Sequence, residues 1–165
     1  MIEKRQPTLV NVINFSLIGM IFIFRYSGLF VLNIGEATSI MLIPLIVAIS
    51  IFFGEFNGFI AGLISGILLD TQVVGSSCFN IFALMLLGLL SGLFSTYLLN
   101  KNLKSAICLC LGATFLYFLS RYLVLFAFRG SPLNFSYFSS YLIPSVIYTS
   151  IFIIPFYYLE RYLRR

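Results

Sequence analysis

The chain has 165 residues, of which 61% are hydrophobic and only 9% charged. A soluble domain carries about a quarter charged residues, so this composition cannot clothe a water-facing surface and predicts an all-α integral membrane protein. The net charge of +5 does not point to nucleic acid, because the basic residues sit in short connections and at the chain ends, the placement that orients a membrane protein.

Spans of roughly 20 residues fit this length about six times, as one domain with no separate soluble part. The apolar runs fall at about 8–24, 36–53, 56–70, 78–99, 104–128 and 140–159. Met1 to Pro7 is a short polar start with Lys4 and Arg5. The long run after Pro7 has no small-residue cleavage site behind it, so it is expected to stay as an anchor rather than leave as a signal peptide. Asn11 and Asn14 fall in its opening turns. Arg25 to Gly35 reads as a loop or interfacial piece around the apolar run Leu29 to Leu32. The second run holds Pro44, which predicts a kink whose freed carbonyl finds another partner. Gly54-Glu55-Phe56-Asn57 reads as a tight turn into the third run.

That third run organises the chain. Gly54, Gly58, Gly62 and Gly66 recur every fourth position, and the next step of the period is Asp70. Residues four apart share a helix face, so one face is nearly bare for three turns and then carries a carboxylate. Each glycine weakens a helix in water by roughly 1 kcal/mol; in lipid, close backbone approach supplies the packing instead. The ladder is read as packing inside the bundle in preference to docking a partner's helix. Gly88 and Gly92, with Ser91 and Ser95, offer a second small face in the fourth run.

Asp70 to Ser77 is a polar loop, and Asn100 to Lys104 a basic turn. The fifth run carries Arg121 near its end; Arg129 to Ser140 is a loop rich in Ser, Pro and aromatics; the last run contains Pro144 and Pro155. With six spans, Lys4, Arg5, Lys101, Lys104, Arg161, Arg164 and Arg165 share one side against Arg25 and Arg129 on the other. The positive-inside rule makes the crowded side, with both termini, cytoplasmic. Tyr122, Tyr137, Tyr141, Tyr157 and Tyr158 lie near span ends, where an aromatic belt is expected.

On this topology Asp70 and Arg121 both fall near the outer boundary of the membrane. They either form a pair or polar pocket that meets a partner or ligand, or each snorkels to the headgroups. Catalysis finds little support. Histidine is absent, and the five acids (Glu3, Glu36, Glu55, Asp70, Glu160) are scattered, two of them near the termini. No acid lies deep in a span, where a proton-coupled carrier would want one. Cys78, Cys108 and Cys110 sit in apolar surroundings, with the last two pointing to different sides of a helix, so no disulfide framework, metal site or cofactor is expected.

The central block resembles the rod shape-determining protein MreD family of the bacterial inner membrane. The resemblance rests on Phe53-Gly54, Gly58 through Asp70, Gly75, Leu87 through Gly92, Asn100 through Ser105 and Ser120-Arg121-Tyr122, in that order. Such a resemblance implies a non-enzymatic component of the cell-elongation machinery. It would bind the coiled-coil scaffold protein MreC and, through it, influence the transpeptidase and glycosyltransferase that build lateral wall. The family is also similar in fold to the substrate-binding subunits of energy-coupling-factor vitamin transporters, which supplies the alternative function. Those subunits meet their transport partner through an Ala-rich first span, and the first span here has no alanine.

Overall fold

Among the described residues, apolar side chains dominate every regular segment, and every regular segment is a helix. The structure is a computed structural model; it describes residues 7–27, 40–71, 78–97, 102–129 and 142–164, with side chains for residues 12–24, 27, 40–71, 78–97, 102–124 and 142–164. Among the described residues there are seven helices: α1 (Pro7–Tyr26), α2 (Leu42–Phe53), α3 (Glu55–Asp70), α4 (Phe79–Tyr97), α5 (Leu103–Arg129), α6 (Ile143–Ile151) and α7 (Ile153–Leu163). Among the described residues three stretches are long and apolar enough to cross a membrane: Phe79–Tyr97, Leu103–Val124 and, as one run, Ile143–Leu163. Val12–Phe24 and Leu42–Phe53 are shorter apolar helices.

Helix α2 is the centre. Its sequence, Leu-Ile-Pro-Leu-Ile-Val-Ala-Ile-Ser-Ile-Phe-Phe, is apolar on all sides, and a helix of that kind is stable only when covered all round. Every residue from Leu42 to Phe52 is buried, and α2 touches each of the other six helices. The outer faces of those helices carry large exposed apolar side chains such as Val12, Ile23, Phe56, Phe82, Leu116 and Ile147. An apolar exterior around an apolar centre suits hydrocarbon as the solvent, since lipid does not penalise exposed Phe or Ile.

Prolines and glycines set the breaks. Pro44 lies in the first turn of α2, so it does not kink a longer helix. The first-turn N–H groups have no intrahelical acceptor, and proline loses nothing there. The predicted four-residue turn at Gly54 to Asn57 is likewise a single residue. Gly54 alone joins α2 to α3, at φ 90°, a conformation that side chains disfavour, and the glycine run is helical from Glu55. The last run breaks at Phe152, whose N–H bonds back to the Thr149 carbonyl at 3.3 Å in a tightened turn. Pro155 follows in the first turn of α7 and leaves the Ile151 carbonyl without its usual donor.

Tyr157 departs from the belt reading. It is 3% exposed, with its ring 5.0 Å from that of Phe52 on α2. Leu29 to Leu32, Gly75, Asn100, Lys101, Tyr137 and Tyr141 lie outside the described residues.

Candidate functional site

The glycine ladder is the seam between α3 and α4, the most extensive helix pair in the bundle. A methyl added at Gly58 would overlap the Ser50 hydroxyl and come 2.6 Å from the Gly88 carbonyl oxygen. At Gly62 it would come 2.7 Å from the Leu84 carbonyl carbon, and at Gly66 2.8 Å from the Asn80 carbonyl oxygen. The facing positions are as tight: a methyl at Gly88 would strike the Gly58 carbonyl, and one at Gly92 the backbone of Glu55. The two backbones therefore run antiparallel in direct contact over four turns. Helix α2 is fastened to the same seam, because the Ser50 hydroxyl lies 3.0 Å from the Gly88 carbonyl and 2.7 Å from that of Ile46.

Asp70 ends the ladder and begins the polar site. Helix α4 starts at Phe79, and its first-turn N–H groups have no acceptor within the helix. The Asp70 carboxylate supplies one from α3: Oδ2 accepts from the Ile81 N–H at 3.1 Å, and Oδ1 from the Asn80 N–H at 3.4 Å. A carboxylate at this position also meets the positive end of the α4 dipole. The residue just before α4, Cys78, has φ 42°, so the chain enters the helix through a tight left-handed step.

The site continues inward. The Asn80 side-chain amide donates to Asp70 Oδ1 at 2.7 Å, and its own carbonyl Oδ1 accepts from the Tyr117 hydroxyl at 2.6 Å. Asn80 is 9% exposed and Tyr117 1%. The Tyr117 ring is packed edge-on to Phe118, with centroids 5.5 Å apart, and lies 6.2 Å from the Phe79 ring. A chain of three side chains thus ties α3, α4 and α5 together at one end of the bundle. In a low-dielectric interior each such bond is strong, and each loss leaves a costly orphan.

Arg121 lies one turn beyond Tyr117 on α5 and is half-buried. The hydrogen bonds described for Asp70 go to α4, and Arg121 takes no part in them. Asn80 and Tyr117 were not legible as site residues from the sequence. The available signal was an asparagine in the first turn of an apolar span, a position where an amide must find partners inside the protein.

At the opposite end of the seam, Glu55 opens α3 and receives the Thr96 hydroxyl at 3.4 Å. Glu160, counted from the sequence as a terminal acid, is fully buried, and neither carboxylate oxygen has a hydrogen-bond partner among the described residues. Asn14, Ser65 and Ser145 are also buried without such partners. Among the described residues no three of His, Cys, Asp and Glu come together as a metal site would need. Compared with protein-family models, with curated proteins and with solved structures, the chain finds no match in any of the three.

Proposed function

We propose that the chain is a non-enzymatic membrane component of the bacterial cell-elongation machinery, of the MreD kind, with six spans and both termini in the cytoplasm. In this reading it sits in the inner membrane, binds an MreC-like scaffold protein, and helps organise the wall transpeptidase and glycosyltransferase through it. The observation that carries the reading is the α3–α4 hairpin. Its glycine ladder is closed by Asp70 on the N-terminus of α4, and these are the residues on which the resemblance rests. The polar groups of that region hold helices to one another, which gives a rigid body that presents surfaces, as a scaffold-binding component needs. Helix α2 fills the axis of the bundle, where a solute-binding subunit would want room for its ligand.

The test is affinity purification of the tagged protein from native membranes in mild detergent, with the co-purifying proteins identified by mass spectrometry. Recovery of a single-span coiled-coil scaffold together with wall synthases is the expected result. Recovery of a transmembrane coupling subunit with a pair of ATPases would sink the reading in favour of a vitamin transporter subunit. In the same assay Asp70→Ala is expected to insert into the membrane but to recover less scaffold.

A further inference from the structure

We propose that the groove between α4 and α5 holds one acyl chain of an anionic phospholipid, whose phosphate rests on Lys104. The two helices are tied toward one end by the Tyr117 hydroxyl on Asn80 at 2.6 Å. Between that bond and the turn that joins them runs an open-sided cavity of about 300 Å³. Its floor is Leu87, Ser91 and Ala113, all buried, and its rims are Phe94 and Leu116, each about half exposed. Both helices are long and apolar enough to span a membrane, and in a bilayer the groove opens sideways onto hydrocarbon. This holds for α4 and α5 as spans, whatever protein partner the bundle meets.

The walls select an apolar guest. The Ser91 hydroxyl donates to the Gly88 carbonyl at 3.1 Å, so it asks for no ligand, and an apolar cavity stays dry and takes apolar molecules. At ~30 Å³ for a water-sized group, a cavity of about 300 Å³ holds roughly ten methylenes, the larger part of one acyl chain. A helix does not fit. It is ~10–12 Å across, so two turns of one would displace roughly three times this volume. Gly112 lines the groove, with nothing within 4 Å of the place where a Cβ would stand.

Charge places the headgroup. Lys104, Cys108 and Gly112 follow at four-residue steps and share a face of α5, and the last two line the groove. Lys104 is exposed in the first turn of α5, one turn beyond Cys108. Its long stem lets the ammonium reach the level where a chain leaving the groove carries its phosphate. The sequence sets Lys101 three residues earlier. Among the described residues no acid lines the groove. Glu55 packs on Gly92 and Thr96, on the α3 side of α4, and Glu160 is buried in α7. A zwitterionic headgroup brings its own cation to the phosphate, whereas phosphatidylglycerol leaves that place to Lys104.

The experiment uses the purified full chain, stripped of lipid in detergent and given equal amounts of phosphatidylglycerol and phosphatidylcholine with the same acyl chains. Native mass spectrometry counts the lipid retained. The wild type is expected to keep one phosphatidylglycerol, favoured about fivefold over phosphatidylcholine, the discrimination that one lysine gives near anionic lipid. Lys104→Gln is expected to keep one lipid without that preference. Gly112→Leu, which fills the open space, is expected to keep none while unfolding at no lower temperature than wild type. A second measurement stands should Gly112→Leu fail to fold. The chain has no tryptophan, so Phe94→Trp puts a single fluorophore on the rim. Phosphatidylglycerol brominated in its acyl chain is expected to quench it at mole fractions about fivefold below brominated phosphatidylcholine. Equal quenching by the two lipids, an unchanged preference in Lys104→Gln, or a lipid kept by folded Gly112→Leu would overturn the proposal. So would a partner's membrane segment cross-linked through Cys108 in native membranes, which would make the groove a protein interface.

Discussion

Asp70 caps α4 by accepting the Ile81 N–H at 3.1 Å, across eleven residues of sequence and from the far end of the preceding helix. The glycine ladder makes this reach possible. With no side chain at Gly66 the α3 backbone lies against Asn80 and Ile81, so a residue one turn later on the same face arrives at the first turn of α4. The ladder and the acid are one device, in which close backbone packing delivers a carboxylate to orphan amides.

Removal of the cap has a definite size. Asp70→Ala is expected to lower stability by about 1–2 kcal/mol, the cost of an N-cap together with an orphaned amide partner. Asp70→Asn keeps an acceptor and loses the charge–dipole term, so it is expected to lose about half as much. Thermal unfolding of the purified protein, followed by far-ultraviolet circular dichroism, checks both. Equal stability of all three proteins would show that the cap is not structural.

The inner end of the network makes a sharper claim. Tyr117→Phe leaves the shape of the core unchanged but strips Asn80 Oδ1 of its 2.6 Å donor. A buried acceptor left bare costs about 1–3 kcal/mol. Combined with Asn80→Ala, the loss is expected to be smaller than the two single losses added, by about 0.5–3 kcal/mol, because both act on one bond. Strict additivity in the double-mutant cycle would separate the two side chains.

Much of this was legible in the sequence, and the rest was hidden for physical reasons. The all-helical class follows from composition, and the ladder with its facing pair Gly88 and Gly92 from four-residue spacing. Pro44 misled because a proline in an apolar run looks alike whether it kinks a helix or starts one; the start at Leu42 depends on what precedes it. Gly54 to Asn57 looked like a turn because glycine and asparagine, the residues at its two ends, are turn formers, yet α3 opens there with an acid at its positive end. Glu160 looked terminal by position alone, although the stripe from Ile153 through Tyr157 to Leu163 was readable by period. Asn80 and Tyr117 meet across 37 residues, and no local pattern encodes that distance.

Glycines on and off the seam should respond in opposite ways. Gly62→Leu puts a branched side chain where even a methyl would sit 2.7 Å from the Leu84 carbonyl carbon. The helices must part, and a loss of about 3 kcal/mol or more, with reduced abundance in the membrane, is expected. Gly19 and Gly112 have open space where a Cβ would go, and both lie within helices. Gly19→Ala and Gly112→Ala are therefore expected to be neutral, or stabilising by about 0.5–1 kcal/mol. A Gly62→Leu protein with wild-type abundance and unfolding temperature would remove the ladder from the list of packing faces.

The cysteines can test the proposed topology without altering the chain. Cys78 is exposed and directly precedes α4, while Cys108 and Cys110 lie in the first half of α5, one exposed and one buried. With six spans and cytoplasmic termini, the start of α4 faces the outer side of the membrane, and the exposed face of α5 meets lipid. A membrane-impermeant maleimide added to intact spheroplasts is expected to modify Cys78 and to leave Cys108 and Cys110 untouched, because a water-borne reagent does not enter hydrocarbon. Detergent solubilisation should then expose Cys108 while Cys110 stays protected by the core. If Cys78 reacts only after the cells are opened, the orientation is reversed or the number of spans before α4 is even. In that case Asp70 and Arg121 would face the cytoplasm, and a scaffold partner would have to be sought on that side.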